Sequence, residues 1–167
     1  MEDGDDVDQI VTAWRRERPD LDVTPLEVLS RVSRLSRHLE MARRSAFQVA
    51  GLEAWEFDVL SALRRSGQPY QTTPGQLVRQ TLVTSGTMTN RVDRLAAREL
   101  VDRSVSRTDR RAVLVGLTAE GLRLVDTALE RLIEHERSLL QGLTTDEQQR
   151  LAQVLRSLLI RFESTPG

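Results

Sequence analysis

Short hydroxyl and amide side chains gather in Thr84-Ser85-Gly86-Thr87-Met88-Thr89-Asn90-Arg91, and three arginines crowd into Ser106-Arg107-Thr108-Asp109-Arg110-Arg111. Projected at about 100° per residue, a helix from Thr84 sets Gly86, Thr87, Asn90 and Arg94 opposite Met88, Val92 and Leu95. The outward face is small near its start, so a backbone can approach a ligand closely. In a DNA major groove, asparagine pairs bidentately with adenine, arginine pairs with guanine, and a threonine methyl meets the thymine methyl. Thr84 and Ser85 can cap the free N–H groups of the first turn or leave them aimed at a phosphate. Thr89 adds a further hydroxyl. The arginines of the second cluster repel one another and gain little from folding, so an external anion explains them best. A narrow minor groove is such an anion, and Asp109 can orient one guanidinium toward it.

Either cluster alone is compatible with an ordinary solvated surface. Together they point to a winged helix-turn-helix reading double-stranded DNA. The candidate DNA-binding residues are Thr84, Ser85, Gly86, Thr87, Thr89, Asn90 and Arg94 on the helix. Arg107, Asp109, Arg110 and Arg111 belong to the tip.

The flanking elements are legible from their punctuation. Leu100-Val101 leads into a strand, and Ala112 to Leu117 alternates well enough to be its partner. Thr24-Pro25-Leu26-Glu27 reads as a capping box with proline at the first helical position. Leu26, Leu29, Val32, Leu35, Leu39 and Ala46 then recur at helical spacing toward Gly51, a plausible C-cap. A helix from about Glu53 to Arg65 follows, broken by Ser66-Gly67-Gln68-Pro69. Thr73-Pro74-Gly75-Gln76 opens a short helix before the one that starts at Thr84. Thr118 begins a long helix through Leu139, and Thr144-Thr145-Asp146-Glu147 is a capping box for the last. An extra helix from about Val7 to Arg18 stops at Pro19.

The expected fold is therefore mainly α with a β-hairpin wing. Residues 1–22 form an acidic segment carrying the extra helix, 53–117 the DNA-binding lobe, and 23–52 with 118–163 the dimerisation helices, all in one compact domain. Self-association is expected because the end helices carry broader apolar faces than a monomer's single buried stripe requires.

Composition sets the outer bounds. The 167 residues, 39% hydrophobic and 29% charged, suit one soluble domain. No apolar run spans a bilayer, and the acidic start lacks the basic and apolar regions of a signal peptide, so a cytoplasmic protein is expected. Without cysteine there are no disulfides, thiolate zinc sites or thiol redox switches. The net charge of −1 does not advertise a nucleic-acid binder, but its distribution is uneven. Residues 1–22 hold eight acids against three arginines, whereas 84–111 hold seven arginines against four acids. Residues 23–83 hold eight arginines against five acids, so positive potential is concentrated in the middle of the chain.

The chain resembles the MarR family of bacterial transcriptional regulators. The resemblance is carried by Thr84 to Leu95, by Leu100-Val101-Asp102-Arg103, and by Thr108-Asp109-Arg110-Arg111-Ala112-Val113-Leu114-Val115-Gly116-Leu117-Thr118. It implies a homodimer that sets the Thr84 helices in successive major grooves and the wings in flanking minor grooves. Such regulators usually repress from a palindromic operator and release it on binding a small ligand. The segment Trp14-Arg15-Arg16-Glu17-Arg18-Pro19 resembles the additional N-terminal helix of the family's urate-responsive branch. That resemblance implies an effector site at Trp14, Asp58, Arg91 and Arg103. The chemistry is coherent: an indole stacks on a flat anion, and Arg91 lies on the flank of the reading helix. Asp58 sits between Phe57 and Val59, where an unpaired carboxylate would be costly, so Arg103 is its expected partner.

Urate is the first candidate effector. Citrate, aconitate or a specialised metabolite would also suit the arginines. No cofactor or metal is expected, since the spacing of His38 and His135 suggests no ligand set. No nucleophile lies near either histidine and no glycine-rich phosphate loop is evident, so an enzyme is not expected. A protein-interaction module that kept the fold and lost DNA binding stands as the alternative.

Overall fold

The computed structural model describes residues 4–105 and 112–163. The elements run α1 (Asp6–Glu17), α2 (Thr24–Val49), α3 (Ala54–Arg65), β1 (Gln71–Thr72), α4 (Pro74–Thr81), α5 (Ser85–Ala97), β2 (Val101–Val105), β3 (Val113–Leu117), α6 (Ala119–Leu139) and α7 (Thr145–Glu163). This is the mainly helical winged-helix architecture expected from the sequence. The sheet has one strand more than expected. The two-residue β1 joins the antiparallel β2–β3 ladder, with Gln71 opposite Gly116 and Thr72 opposite Val115. A two-residue strand has no periodicity to read, so it left no signal in the sequence.

One core holds the reading lobe to α2 and α6. Phe47 of α2 stacks on Phe57 of α3 with ring centroids 4.1 Å and ring planes 15° apart. Leu60, Leu63, Leu77, Met88, Leu95 and Val115 are fully buried around them. The buried face of α5 is the expected one of Met88, Val92 and Leu95.

Helix ends explain most of the boundaries. Thr73, Thr84 and Thr118 each accept a backbone N–H from the residue three positions on. At Thr144, the hydroxyl accepts the Glu147 N–H while Glu147 receives the Thr144 N–H at 2.8 Å, completing the expected box. Past α2, Gly51 at φ +70° allows a Schellman closure, in which Leu52 N–H reaches Phe47 O and Gly51 N–H reaches Gln48 O.

The box expected at Thr24 is not formed. The helix already includes Thr24, whose N–H is capped by Asp22 Oδ1 at 3.0 Å, and the Glu27 carboxylate is taken by Arg15 at 2.5 Å. A carboxylate two residues upstream and a guanidinium on another helix outcompeted the local geometry.

Arg15–Glu27 is one of several ion pairs that dock α1 on α2. Arg31 bridges Asp5 and Asp8 at 2.8 and 2.7 Å, and Arg34 pairs with Asp6 at 2.8 Å. Beneath them lies a small apolar cluster of Val7, Val11 and Val23. The Arg31 guanidinium holds the Asp5 carboxyl below the usual carboxylate range. A depressed carboxylate stabilises the docked state fully above its ordinary pKa and ceases to do so as pH falls through the lowered value. Acidification below about pH 4 is therefore expected to loosen α1. Trp14 emission in a Trp55→Phe variant reads this out, and a flat acid titration would refute it.

The end helices leave apolar surface uncovered. Leu29 and Leu35 of α2 are each 58% exposed. No described side chain of α7 is buried, although Leu151, Val154, Leu155 and Leu159 share one of its faces.

Candidate nucleic-acid interface

Helix α4 and helix α5 form the two arms of a helix-turn-helix. The turn between them is set by Leu82, which ends α4 in the left-handed region at φ +52° with its side chain 91% exposed. The chain then reverses into Thr84, whose Oγ1 caps Thr87 N–H at 3.2 Å and contacts Thr87 Oγ1 at 2.9 Å. Thr84, Ser85, Gly86, Thr87, Thr89, Asn90 and Arg94 all lie on the exposed side of α5. At Gly86 a Cβ would meet nothing within 4 Å, so no neighbouring part of the protein requires the missing side chain. Thr89 is less free than expected, since its hydroxyl donates to Ser85 O at 3.1 Å on its own helix. The tip residues Arg107, Asp109, Arg110 and Arg111 lie outside the described residues.

Arg94 is exposed but not idle. Its guanidinium lies 4.6 Å above the Trp55 ring, and its Nη2 is 3.2 Å from Glu53 Oε1. Trp55 Nε1 donates to the other carboxylate oxygen at 2.7 Å. Arg91 shares the same indole at 5.6 Å. One turn on, Arg98 donates Nη1 to Glu56 Oε2 at 2.5 Å and Nη2 to Gly51 O at 2.9 Å. Glu56 is 2% exposed, and its Oε2 also accepts Glu53 N–H at 2.9 Å, so the buried carboxylate is paired and hydrogen-bonded. The start of α3 thus grips the end of α5 at two points. Sequence reasoning missed Glu53, Trp55, Glu56 and Arg98. The available signal was a pair of acids three apart at one helix start and a pair of arginines four apart on another.

The one contact expected among the four effector residues is not made. Trp14 is half-exposed on α1. The pair expected between Asp58 and Arg103 is absent: Arg103 instead binds Asp93 Oδ1 at 2.6 Å, and Asp58 faces solvent. Asp58 therefore carries no burial penalty that needs a cation. Helical phase turns it outward while Phe57 and Val59 turn in. Arg91 is half-buried against Trp55, on the flank of α5.

No described helix is long and apolar enough to cross a membrane. A MarR family model matches residues 50–112, the span from the end of α2 to the start of β3. The transcriptional regulator PecS of Dickeya dadantii is 39% identical over 158 residues, covering 95% of this chain and 93% of PecS. A cysteine-to-serine mutant of E. coli MarR in complex with operator DNA superposes with a TM-score of 0.67 at 25% identity, over 83% of this chain and 99% of that one. BpsR of Bordetella bronchiseptica, whose DNA binding is regulated by 6-hydroxynicotinic acid, gives a TM-score of 0.58 at 30% identity, over 77% and 98% of the two chains. Kinship to PecS along nearly the full length decides the matter: the chain belongs to the MarR family of transcriptional regulators, a DNA-binding regulator and not an enzyme.

Proposed function

We propose that this chain is a homodimeric repressor that reads a pseudo-palindromic operator with α5 and is released by a small anionic effector, urate first among the candidates. The observation that carries the DNA reading is the exposed, capped start of α5, where Thr84, Ser85, Thr87 and Asn90 surround a glycine with open space beyond it. That opening admits a sugar-phosphate backbone, and Asn90 one turn along reaches a base edge. Arg107, Arg110 and Arg111, with Asp109 orienting one of them, supply the minor-groove contact. Residues 23–52 and 118–163 supply the dimer, consistent with the uncovered apolar faces of α2 and α7. Two copies then address half-sites about one helical turn apart.

The effector reading assigns Trp14, Asp58, Arg91 and Arg103 to a flat anion. That BpsR answers to a heteroaromatic acid favours this class of ligand. An anion reaching Arg91 and Arg103 would compete with Trp55 and Asp93 for them. Asp93 lies on α5 and Arg103 on β2, so exchanging that partner moves the reading helix relative to the wing. Such a differential contact is what a ligand needs to shift a binding equilibrium.

A mobility-shift assay on DNA upstream of the chain's own coding region tests the reading. The assay is run at two salt concentrations, with and without urate or citrate. Binding should weaken steeply with salt, and urate should release it. Arg111→Ala should weaken binding by about tenfold across sequences, while Asn90→Ala should change base preference. Unchanged affinity and salt dependence in Arg111→Ala would remove the wing assignment. Release by citrate alone would replace the effector, and no salt-dependent shift would leave a protein-interaction module.

A further inference from the structure

We infer that Glu53, fixed by the Trp55 indole, is a specificity-determining residue that occupies Arg94 until a matched duplex displaces it. The inference rests on the reading of α5 as the DNA-facing helix. Three contacts close the set. Arg94 stacks on Trp55 at 4.6 Å, Arg94 Nη2 reaches Glu53 Oε1 at 3.2 Å, and Trp55 Nε1 holds Glu53 Oε2 at 2.7 Å. The indole therefore does two things: it presents a face to the guanidinium, and it keeps the carboxylate aimed at it.

The position of the set gives it a consequence for DNA. Arg94 follows Asn90 by one turn on the exposed side of α5. A guanidinium there would attract any phosphate, and phosphate contacts supply the affinity that does not depend on sequence. Glu53 cancels that charge locally. The side chains of Arg94 and Glu53 remain 55% and 62% exposed, so the pair is screened and readily exchanged. A guanine edge offers Arg94 two acceptors in a fixed geometry, which an exposed carboxylate contact at 3.2 Å matches poorly. Glu53 thus weakens binding to arbitrary duplexes more than binding to the operator. Discrimination of this kind comes from a built-in competitor as much as from the favoured contact.

The test measures the full-length protein on its upstream duplex and on a scrambled duplex of equal length, across a salt series. Glu53→Gln keeps an acceptor for Trp55 Nε1 and removes the charge. Its affinity for the scrambled duplex should rise about threefold, and the log–log salt slope should steepen by about one, the contribution of one added phosphate contact. Operator affinity should change less, so the ratio of the two falls. In an Arg94→Ala background the gain from Glu53→Gln should largely vanish. A gain that persists there would mean general charge repulsion and overturn the assignment. Wild-type operator binding with no effect of Glu53→Gln would overturn it while leaving the DNA reading intact. A wild-type chain that binds neither duplex would overturn both.

Discussion

Gly121→Ala should destabilise the protein by about 3 kcal/mol and lower its melting temperature by roughly 6–12 °C. Gly121 lies in the first turn of α6, where that helix crosses the carbonyl of Leu100. A Cβ there would sit 2.0 Å from Leu100 O and 3.0 Å from Leu100 C. Neither atom is the end of a flexible side chain. Leu100 O is also the acceptor for Thr118 N–H at 3.2 Å, and Leu100 N–H is bonded to Leu95 O at 3.0 Å. Relief of the clash must move α6 away from the junction of α5 and β2, because the peptide is tied on both sides. Thr118 makes this harder, since its hydroxyl donates to Glu99 O at 2.8 Å while capping Gly121 N–H at 3.0 Å. Thermal unfolding followed by circular dichroism checks the prediction. A melting temperature within about 2 °C of wild type would show that the helix can shift without loss, contrary to the tight packing expected of such a crossing.

The second large effect is on assembly. In one copy α7 buries no described side chain, with Leu155 37% and Leu159 57% exposed on neighbouring turns of the same face. A helix in a protein draws most of its stability from packing an amphipathic face, so α7, 19 residues long, needs a surface to lie on. On the reading proposed above, a second copy supplies it. Leu155→Glu combined with Leu159→Glu should leave the core of the reading lobe untouched and yield a monomer at micromolar concentration by light scattering. Operator affinity should then fall by about 100-fold or more, because the second half-site is no longer held at high effective concentration. A variant that stays dimeric would locate the interface elsewhere. A monomer with wild-type operator affinity would sink the two-half-site reading.

Much of this was legible in the sequence because helical phase and caps are local. The periodicity of Met88, Val92 and Leu95 fixed which side of α5 faces inward, and hence that Thr87, Asn90 and Arg94 face out. The threonines at 73, 84, 118 and 144 marked helix starts because a cap needs only its own first turn. The failures share a cause. Whether Glu27 completes a box depends on Arg15 of another helix, and whether Arg103 meets Asp58 depends on Asp93 lying nearer. Arg94 could be placed on a face, but its perch on Trp55 comes from a residue of α3. Partners of charged side chains are chosen by tertiary proximity, and sequence spacing carries little information about that. The strand β1 was missed for a different reason: the position of its two residues is fixed by the ladder edge of β3, which any extended backbone can join.

The grip of Glu56 and the Gly51 carbonyl on Arg98 bears on how a signal could travel. It fastens the far end of the recognition helix to the joint where α2 passes into α3. With α3, α5 and that joint tied together, α5 moves with α3, and any rearrangement within the lobe falls between α5 and the wing. On the dimeric reading proposed above, an event at the end helices would swing α3 and α5 as one, and the distance between the two copies of α5 is what the operator would sense. Half-site spacing becomes a dial turned from outside the groove, while the choice of bases within each half-site stays with the face of α5.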